Sequence, residues 1–143
     1  MKGWTCGSRS GAGGDPRIAG DTLILQVASD GHDQFAYWTI NAGPGDNVGF
    51  VAHVGANDPA AAFGMTIHCV GGDGEVIFAS PAVPGLNAFG RSSPLSVDRY
   101  YQCRATVVRL PAGTAGVRFE LHTGGSTSKA YRVSVRDVLI GKY

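Results

Sequence analysis

Residues 36–54, AYWTINAGPGDNVGFVAHV, read as strand, turn, strand, and this reading decides the fold. On the first arm Ala36, Trp38 and Ile40 share one face and Phe35, Tyr37 and Thr39 the other, the period-two alternation of a pleated strand. Gly43-Pro44-Gly45-Asp46 interrupts the pattern, because proline fixes φ and glycine accepts backbone conformations that other residues resist. On the second arm Val48, Phe50, Ala52 and Val54 form an apolar row opposite Asn47, Gly49, Val51 and His53. Two such arms joined by turn residues predict a hairpin in an antiparallel sheet with one buried face.

The same alternation recurs on either side. Asp21–Ser29 predicts a strand with Leu23, Leu25 and Val27 on one face, and Asp30-Gly31-His32-Asp33 a turn into the 35–54 hairpin. Ala56–Gly64 is read as a loop with one helical turn at Pro59–Phe63. Gly64–Val70 is a strand, Gly71-Gly72-Asp73-Gly74 a tight turn, and Glu75–Ala79 the returning partner. Ser80–Asp98 is the longest irregular stretch, where Pro81, Pro84 and Pro94 break pairing. Such long loops are more often functional than decorative. Arg99–Leu110, Val117–His122 and Tyr131–Ile140 are the remaining strands, with Pro111-Ala112-Gly113 and Gly124–Ser128 between them. In 99–110 the facing is ambiguous: Cys103, Ala105 and Val107 share one parity, Val108 and Leu110 the other, and a bulge before Pro111 would reconcile them.

About eight short strands, no helix of ordinary length and no repeat predict an all-β, two-sheet antiparallel sandwich of jelly-roll type. An α/β fold lacks the helical crossovers it needs. Glycine at 22 of 143 residues and only two glutamates, Glu75 and Glu120, also disfavour long helices. The division expected is a Gly-rich arm over residues 1–20, with one short strand near Trp4, and a sandwich domain over 21–143.

A chain of 143 residues reads as one domain burying roughly two-thirds of its unfolded surface. Twelve basic and eleven acidic side chains leave no charge bias, so nucleic acid is not an expected partner. No apolar run approaches the ~18 residues of a membrane span. Residues 1–17 lack the apolar core of a secretory signal, which points to synthesis and folding in a cytoplasm. Nine arginines against three lysines fit a GC-rich genome. Cys6, Cys69 and Cys103 form no CxxC pair and have no histidine at ligand spacing, so buried thiols are favoured over a Cys69–Cys103 bridge and zinc is disfavoured.

The order of these segments resembles the carbohydrate-binding modules of the jelly-roll class, the family 4, 9, 16 and 22 type. In that class a strand runs through a Pro-Gly turn into an aromatic-bearing strand, as INAGPGDNVGFVAHV does. An aromatic later precedes a strand ending in Pro-Ala-Gly, as in YYQCRATVVRLPAGTAGVRFEL, and the chain closes on a strand like YRVSVRDVLIGKY. The resemblance covers roughly residues 20–143, and its specificity lies in the order and spacing of the motifs. Modules of this kind occur on secreted glycosidases and as small tail or surface proteins of phages that infect actinobacteria. The family's last strand often carries paired acidic residues. This chain has Arg136-Asp137 there, which argues against a structural calcium at Asp137, and no cofactor is expected.

Sugar binding needs flat aromatic faces plus a few polar groups for hydroxyls. Candidate binding residues are therefore Phe35, Tyr37, Tyr100, Tyr101 and, in loop 80–98, Phe89 beside Arg91. Trp38 faces inward with Ile40 by alternation. His53, His68 and His122 each oppose an apolar row, and Glu120 and Arg118 share the polar face of the 117–122 strand. If these strands are neighbours, the imidazoles gather on one sheet surface, as a binding cleft or as an ordinary solvated face. A metal site across the three strands has no ligand spacing behind it. No GxSxG, HExxH, P-loop or dinucleotide glycine motif is present, and no second carboxylate is placed against Glu120 for glycoside hydrolysis, so catalysis is not expected.

The reading that follows is a non-catalytic glycan-binding module of a phage virion, a minor tail or receptor-binding protein contacting a host cell-envelope polysaccharide. One alternative is a structural virion protein, a decoration or tail-attachment subunit without a sugar site. Another is a secreted carbohydrate-binding module. The expected partners are a glycan, other virion proteins and further copies of the chain, and the expected location is the virion after assembly in the host cytoplasm.

Overall fold

Each alternating segment becomes a strand whose apolar row is buried between two sheets. The computed structural model describes residues 3–8, 16–27, 34–58, 61, 63–79, 99–123 and 130–143. Among these the strands are β1 (Thr5–Ser8), β2 (Arg17–Ala19), β3 (Thr22–Val27), β4 (Gln34–Asn41), β5 (Val48–Ala56), β6 (Phe63–Val70), β7 (Val76–Ala79), β8 (Tyr101–Val107), β9 (Gly116–Thr123) and β10 (Tyr131–Lys142). They form two five-stranded sheets, the first in the order β1-β4-β9-β6-β7 and the second in the order β2-β3-β10-β5-β8. Every pairing is antiparallel. This is the jelly-roll sandwich expected from the pattern, with ten strands rather than about eight. The additional strands come from residues 1–20, where β1 pairs with β4 at the edge of one sheet and β2 with β3 at the edge of the other.

The 35–54 hairpin does not form. β4 pairs with β1 and β9, whereas β5 pairs with β10 and β8 in the opposite sheet. Asp46 N–H donates to the Gly43 carbonyl at 3.2 Å, so the turn itself is present, with Gly45 in the left-handed region at φ 84°. Its neighbouring groups go to the loop after β8 instead of closing a two-stranded ladder. Gly45 N–H donates to Leu110 O, Leu110 N–H to Asp46 O, and Arg109 N–H to the Asn47 side chain. The two apolar rows predicted to share a sheet face therefore look at one another across the core. Alternation reports that each row is buried and is silent on which of these two ways it is done. The Asp46 carboxylate accepts from Gly43 N–H at 3.0 Å, with Lys142 Nζ at 3.5 Å. The Gly43 amide and then the ammonium hold that carboxyl below its usual range.

The core is the sum of these rows: Leu23, Leu25 and Val27 of β3, Val48, Phe50, Ala52 and Val54 of β5, Met65, Ile67 and Cys69 of β6, and Phe119 and Leu121 of β9 are all fully buried. Phe50 and Phe119 meet edge to face across the sheets at 5.4 Å, an arrangement aromatic pairs prefer. Trp38 is inward and half-buried as its parity predicts, with Trp4 edge-on at 6.1 Å. One polar side chain spans the interior. Gln34 on β4, 1% exposed, accepts from Gln26 N–H on β3 in the opposite sheet, and its own N–H donates to Thr123 Oγ1 at 2.8 Å. All three cysteines are free thiols, so the Cys69–Cys103 alternative falls away.

Two parity changes are made by residues with left-handed backbone. β8 ends at Val107, and Arg109 at φ 56° turns Leu110 inward while Val108 stays exposed, so the switch lies beyond the ladder and is not a bulge within it. In β10 the register with β5 shifts between Arg136 and Leu139, at Asp137 with φ 52°. Val133 and Val135 point inward before this bulge, and Val138 and Ile140 pack on the core after it. The expected β6–β7 hairpin forms around Gly71–Gly74, closed by Gly71 N–H to Glu75 O at 2.8 Å. The helical turn expected at Pro59–Phe63 falls partly on residues 59, 60 and 62, outside the described set, and Phe63 itself opens β6.

Candidate functional site

Pairing of β1, β4, β9 and β6 builds a three-row surface on the outer face of the first sheet. The rows run Gly7–Phe35–His122–Gly64, then Thr5–Tyr37–Glu120–Thr66, then Thr39–Arg118–His68 with Ala79 of β7. Successive rows are about 7 Å apart along the strands. Two glycines shape the first row. A Cβ at Gly7 would lie 2.8 Å from the Phe35 ring, and one at Gly64 would collide with the His122 imidazole. Both rings therefore lie down across the bare neighbouring strands, which flattens the surface.

Phe35 and Tyr37 stack beside each other, with centroids at 6.2 Å and planes within 14°. Arg118 places its guanidinium 5.2 Å from the centre of the Tyr37 ring, within cation–π range. Its Nε and Nη2 also reach His68 Nδ1 at 3.3 and 3.1 Å. Guanidinium only donates, so that imidazole nitrogen accepts and the ring proton sits on Nε2. Glu120 lies in the middle, 5% exposed, with His68 Nδ1 at 3.6 Å, His122 Nδ1 at 3.8 Å and Arg118 Nε at 4.0 Å. Since Nδ1 of His68 accepts from Arg118, its closeness to Glu120 is packing and not an ion pair, and Arg118 supplies the compensating charge for the carboxylate.

Chemically this is a flat aromatic pair next to a row of hydrogen-bonding groups held in place by one another. It does not fit a metal centre. The guanidinium of Arg118 occupies the approach to His68, and among the described residues no group of three or more metal-ligating side chains converges. The ladder positions of this face carry one carboxylate, Glu120, whereas the usual glycoside hydrolysis uses two.

The outer face of the first sheet thus places Phe35, Tyr37, His68, Glu120 and His122 together. His53 is not among them. It lies on β5 in the other sheet, so the condition for three gathered imidazoles fails. Its Nδ1 stands 3.1 Å from Asp137 Oδ2, close enough to pair with that carboxylate but not aligned as a hydrogen bond. Tyr101 takes the inward parity with Cys103 and packs against the core. Tyr100 lies half-buried on the outer side of the second sheet under Arg136. Phe89, Arg91 and the rest of loop 80–98 lie outside the described residues, as do His32 and Asp33. Gly7 and Gly64 were missed, because a glycine's role beneath a ring depends on register, which the sequence does not print.

No family model matches the sequence, and no curated protein matches it in sequence. Solved structures match in fold. A carbohydrate-binding module, CBM4, aligns with a TM-score of 0.63 at 13% identity, over 99% of this chain and 96% of that one. The N-terminal cellulose-binding domain of Cellulomonas fimi β-1,4-glucanase C gives 0.61 at 12% identity, over 99% and 89%. The enzymatically active domain of bacteriophage CBA120 tailspike protein 4 gives 0.63 at 13% identity, over 99% of this chain and 20% of that one. The chain has the fold of carbohydrate-binding modules.

Proposed function

We propose that the protein is a non-catalytic glycan-binding module that holds a polysaccharide chain on the outer face of the first sheet. The carrying observation is the Phe35–Tyr37 pair stacked at the edge of the His122–Glu120–Arg118–His68 cluster. Sugar rings would lie on the two aromatic faces, and the imidazoles, guanidinium and Thr39 would bond the hydroxyls. The cluster is already organised before a ligand arrives, which lowers the ordering cost of binding. Fold likeness to a carbohydrate-binding module and to a domain named for cellulose binding supports this reading. It needs no cofactor.

The setting we propose is a phage virion, with the module as a minor tail or receptor-binding element facing a host envelope polysaccharide and assembled beside other virion proteins and copies of itself. Support for it is the fold shared with a stretch of a phage tailspike. A structural virion subunit is the second reading. The observation favouring it is edge strand β7, whose Val76, Ile77 and Phe78 are each 38–46% exposed and would suit a protein contact.

The test is retention of purified protein on immobilised cellulose, xylan and host cell-wall preparations, with Phe35→Ala and Tyr37→Ala alongside. Retention by at least one polysaccharide, weakened about tenfold or more in both variants, is expected. A stable oligomer retained by none of them would overturn glycan binding and leave the structural reading.

A further inference from the structure

The outer face of the second sheet carries a different chemistry. Its ladder positions hold Arg17 on β2, Arg132 and Arg136 on β10 and Arg104 on β8, all exposed. Beside them, at the β10 bulge outside the ladder, lies the carboxylate of Asp137, 3.6 Å from Arg136 and 3.1 Å from His53. Among the described residues no acidic side chain pairs with Arg17, Arg104 or Arg132. A chain that is nearly neutral overall therefore concentrates four guanidinium groups on one sheet surface.

Two of them are held in place. Arg136 lies flat over Tyr100 at 3.8 Å from the ring centre, and Arg104 donates through Nε and Nη2 to Gln102 Oε1 at 3.2 and 2.8 Å. Next to this stack is a polar cleft of about 110 Å³ lined by Gly55, Ala56, Asn57, Tyr100, Arg132 and Ser134. Asn57 is fixed there by reciprocal bonds with Arg132, its Oδ1 accepting from Arg132 N–H at 2.7 Å and its N–H donating to Arg132 O at 3.1 Å.

We propose that this face is a second binding surface, for a polysaccharide bearing carboxylate or sulfate groups, with the cleft beside Tyr100 seating one such group between Arg132 and Arg136. Guanidinium forks match planar or tetrahedral oxyanions, and pre-positioned ones bind at lower entropic cost. A single-stranded nucleic acid needs open aromatic faces for its bases, and here one face of the aromatic ring is covered by Arg136. This inference does not depend on the first-sheet site.

The experiment titrates the intact protein with alginate, which supplies carboxylates, with dextran sulfate, and with plain dextran as the neutral control. Binding to alginate or dextran sulfate but not to dextran is expected, and whichever polymer binds identifies the anion. Raising salt from low to roughly physiological strength should weaken that binding several-fold. Arg132→Gln with Arg136→Gln, both on exposed side chains, should weaken it about tenfold or more. Tyr37→Ala should leave it unchanged. Failure to bind either anionic polymer, unchanged binding by the double variant, tighter binding to a single-stranded DNA, or loss of anion binding on Tyr37→Ala would each overturn the proposal. Retention on neutral polysaccharides is read separately, so failure of one site is distinguishable from failure of the other.

Discussion

Gly64→Ala tests the candidate site through its least conspicuous residue. The backbone at Gly64 lies outside the left-handed region, so alanine meets no strain there, but its Cβ would collide with the His122 imidazole lying above it. His122 must turn away, at about 0.5–1.5 kcal/mol for an unfavourable rotamer. Its partly exposed contact with Glu120 at 3.8 Å loosens, which costs less than about 1 kcal/mol. Replacing glycine also restricts the unfolded chain, which offsets about 0.4–1 kcal/mol. The net expectation runs from a gain of about 0.5 kcal/mol to a loss of about 2 kcal/mol, or a melting temperature lower by no more than roughly 7 °C for a chain of this length. The site should change far more than the stability. NMR should show the His122 ring resonance shifted, and polysaccharide affinity should fall several-fold as the ring leaves the Phe35 row. An unmoved His122 resonance together with unchanged affinity would refute the packing of that ring on Gly64. A loss above about 3 kcal/mol would refute the claim that the imidazole can yield.

Other outcomes follow from the core and the titrating groups. Phe119→Ala removes a fully buried ring that meets Phe50 from the opposite sheet and should cost about 3–5 kcal/mol, seen by calorimetry as a melting point lower by roughly 10–15 °C. Gln34→Ala strips Gln26 N–H of its acceptor across the sandwich and should cost about 1–3 kcal/mol, with faster hydrogen exchange at Gln26. Burial pushes the Cys103 thiol up to about 12 from its ordinary 9.0, with the thiol donating to Tyr101 O at 3.5 Å. The folded value lies above the unfolded one, so this contribution is whole below about pH 9 and is lost as pH rises toward 12. Urea unfolding over that range should show the loss in the parent and a reduced loss in Cys103→Ala. Asp46 has the opposite sign: its carboxyl is held low, so its contribution is present above the ordinary 3.8 and disappears as pH falls through the folded value. Acid unfolding of Asp46→Asn should lack that component.

Most of the sandwich was legible because alternation is a direct record of burial. Leu23, Leu25 and Val27, and likewise Val48 to Val54, point where their parity says. What alternation leaves out is the partner of each strand. Residues 36–54 illustrate the gap, since two apolar rows around a good turn satisfy a hairpin and a sheet-to-sheet crossing equally well. The turn's hydrogen-bonding groups pair with the segment after β8, a contact more than 60 residues away in sequence. The same gap divided the histidines. His68 and His122 share a face because β6 and β9 are adjacent, whereas His53 went with β5 to the other sheet. The burial of Glu120 and the glycines beneath Phe35 and His122 follow from register alone, and the bulge at Asp137 from the need to keep both Val135 and Ile140 against the core.

The most direct test of the account is an amide NMR titration of the labelled protein with an uncharged oligosaccharide from a neutral polysaccharide that retains it. The account predicts that the perturbed amides cluster on β4, β9 and β6, centred on Phe35, Tyr37, Arg118, Glu120 and His122. Perturbations confined to β5, β8 and β10, or scattered over the loops, would contradict it.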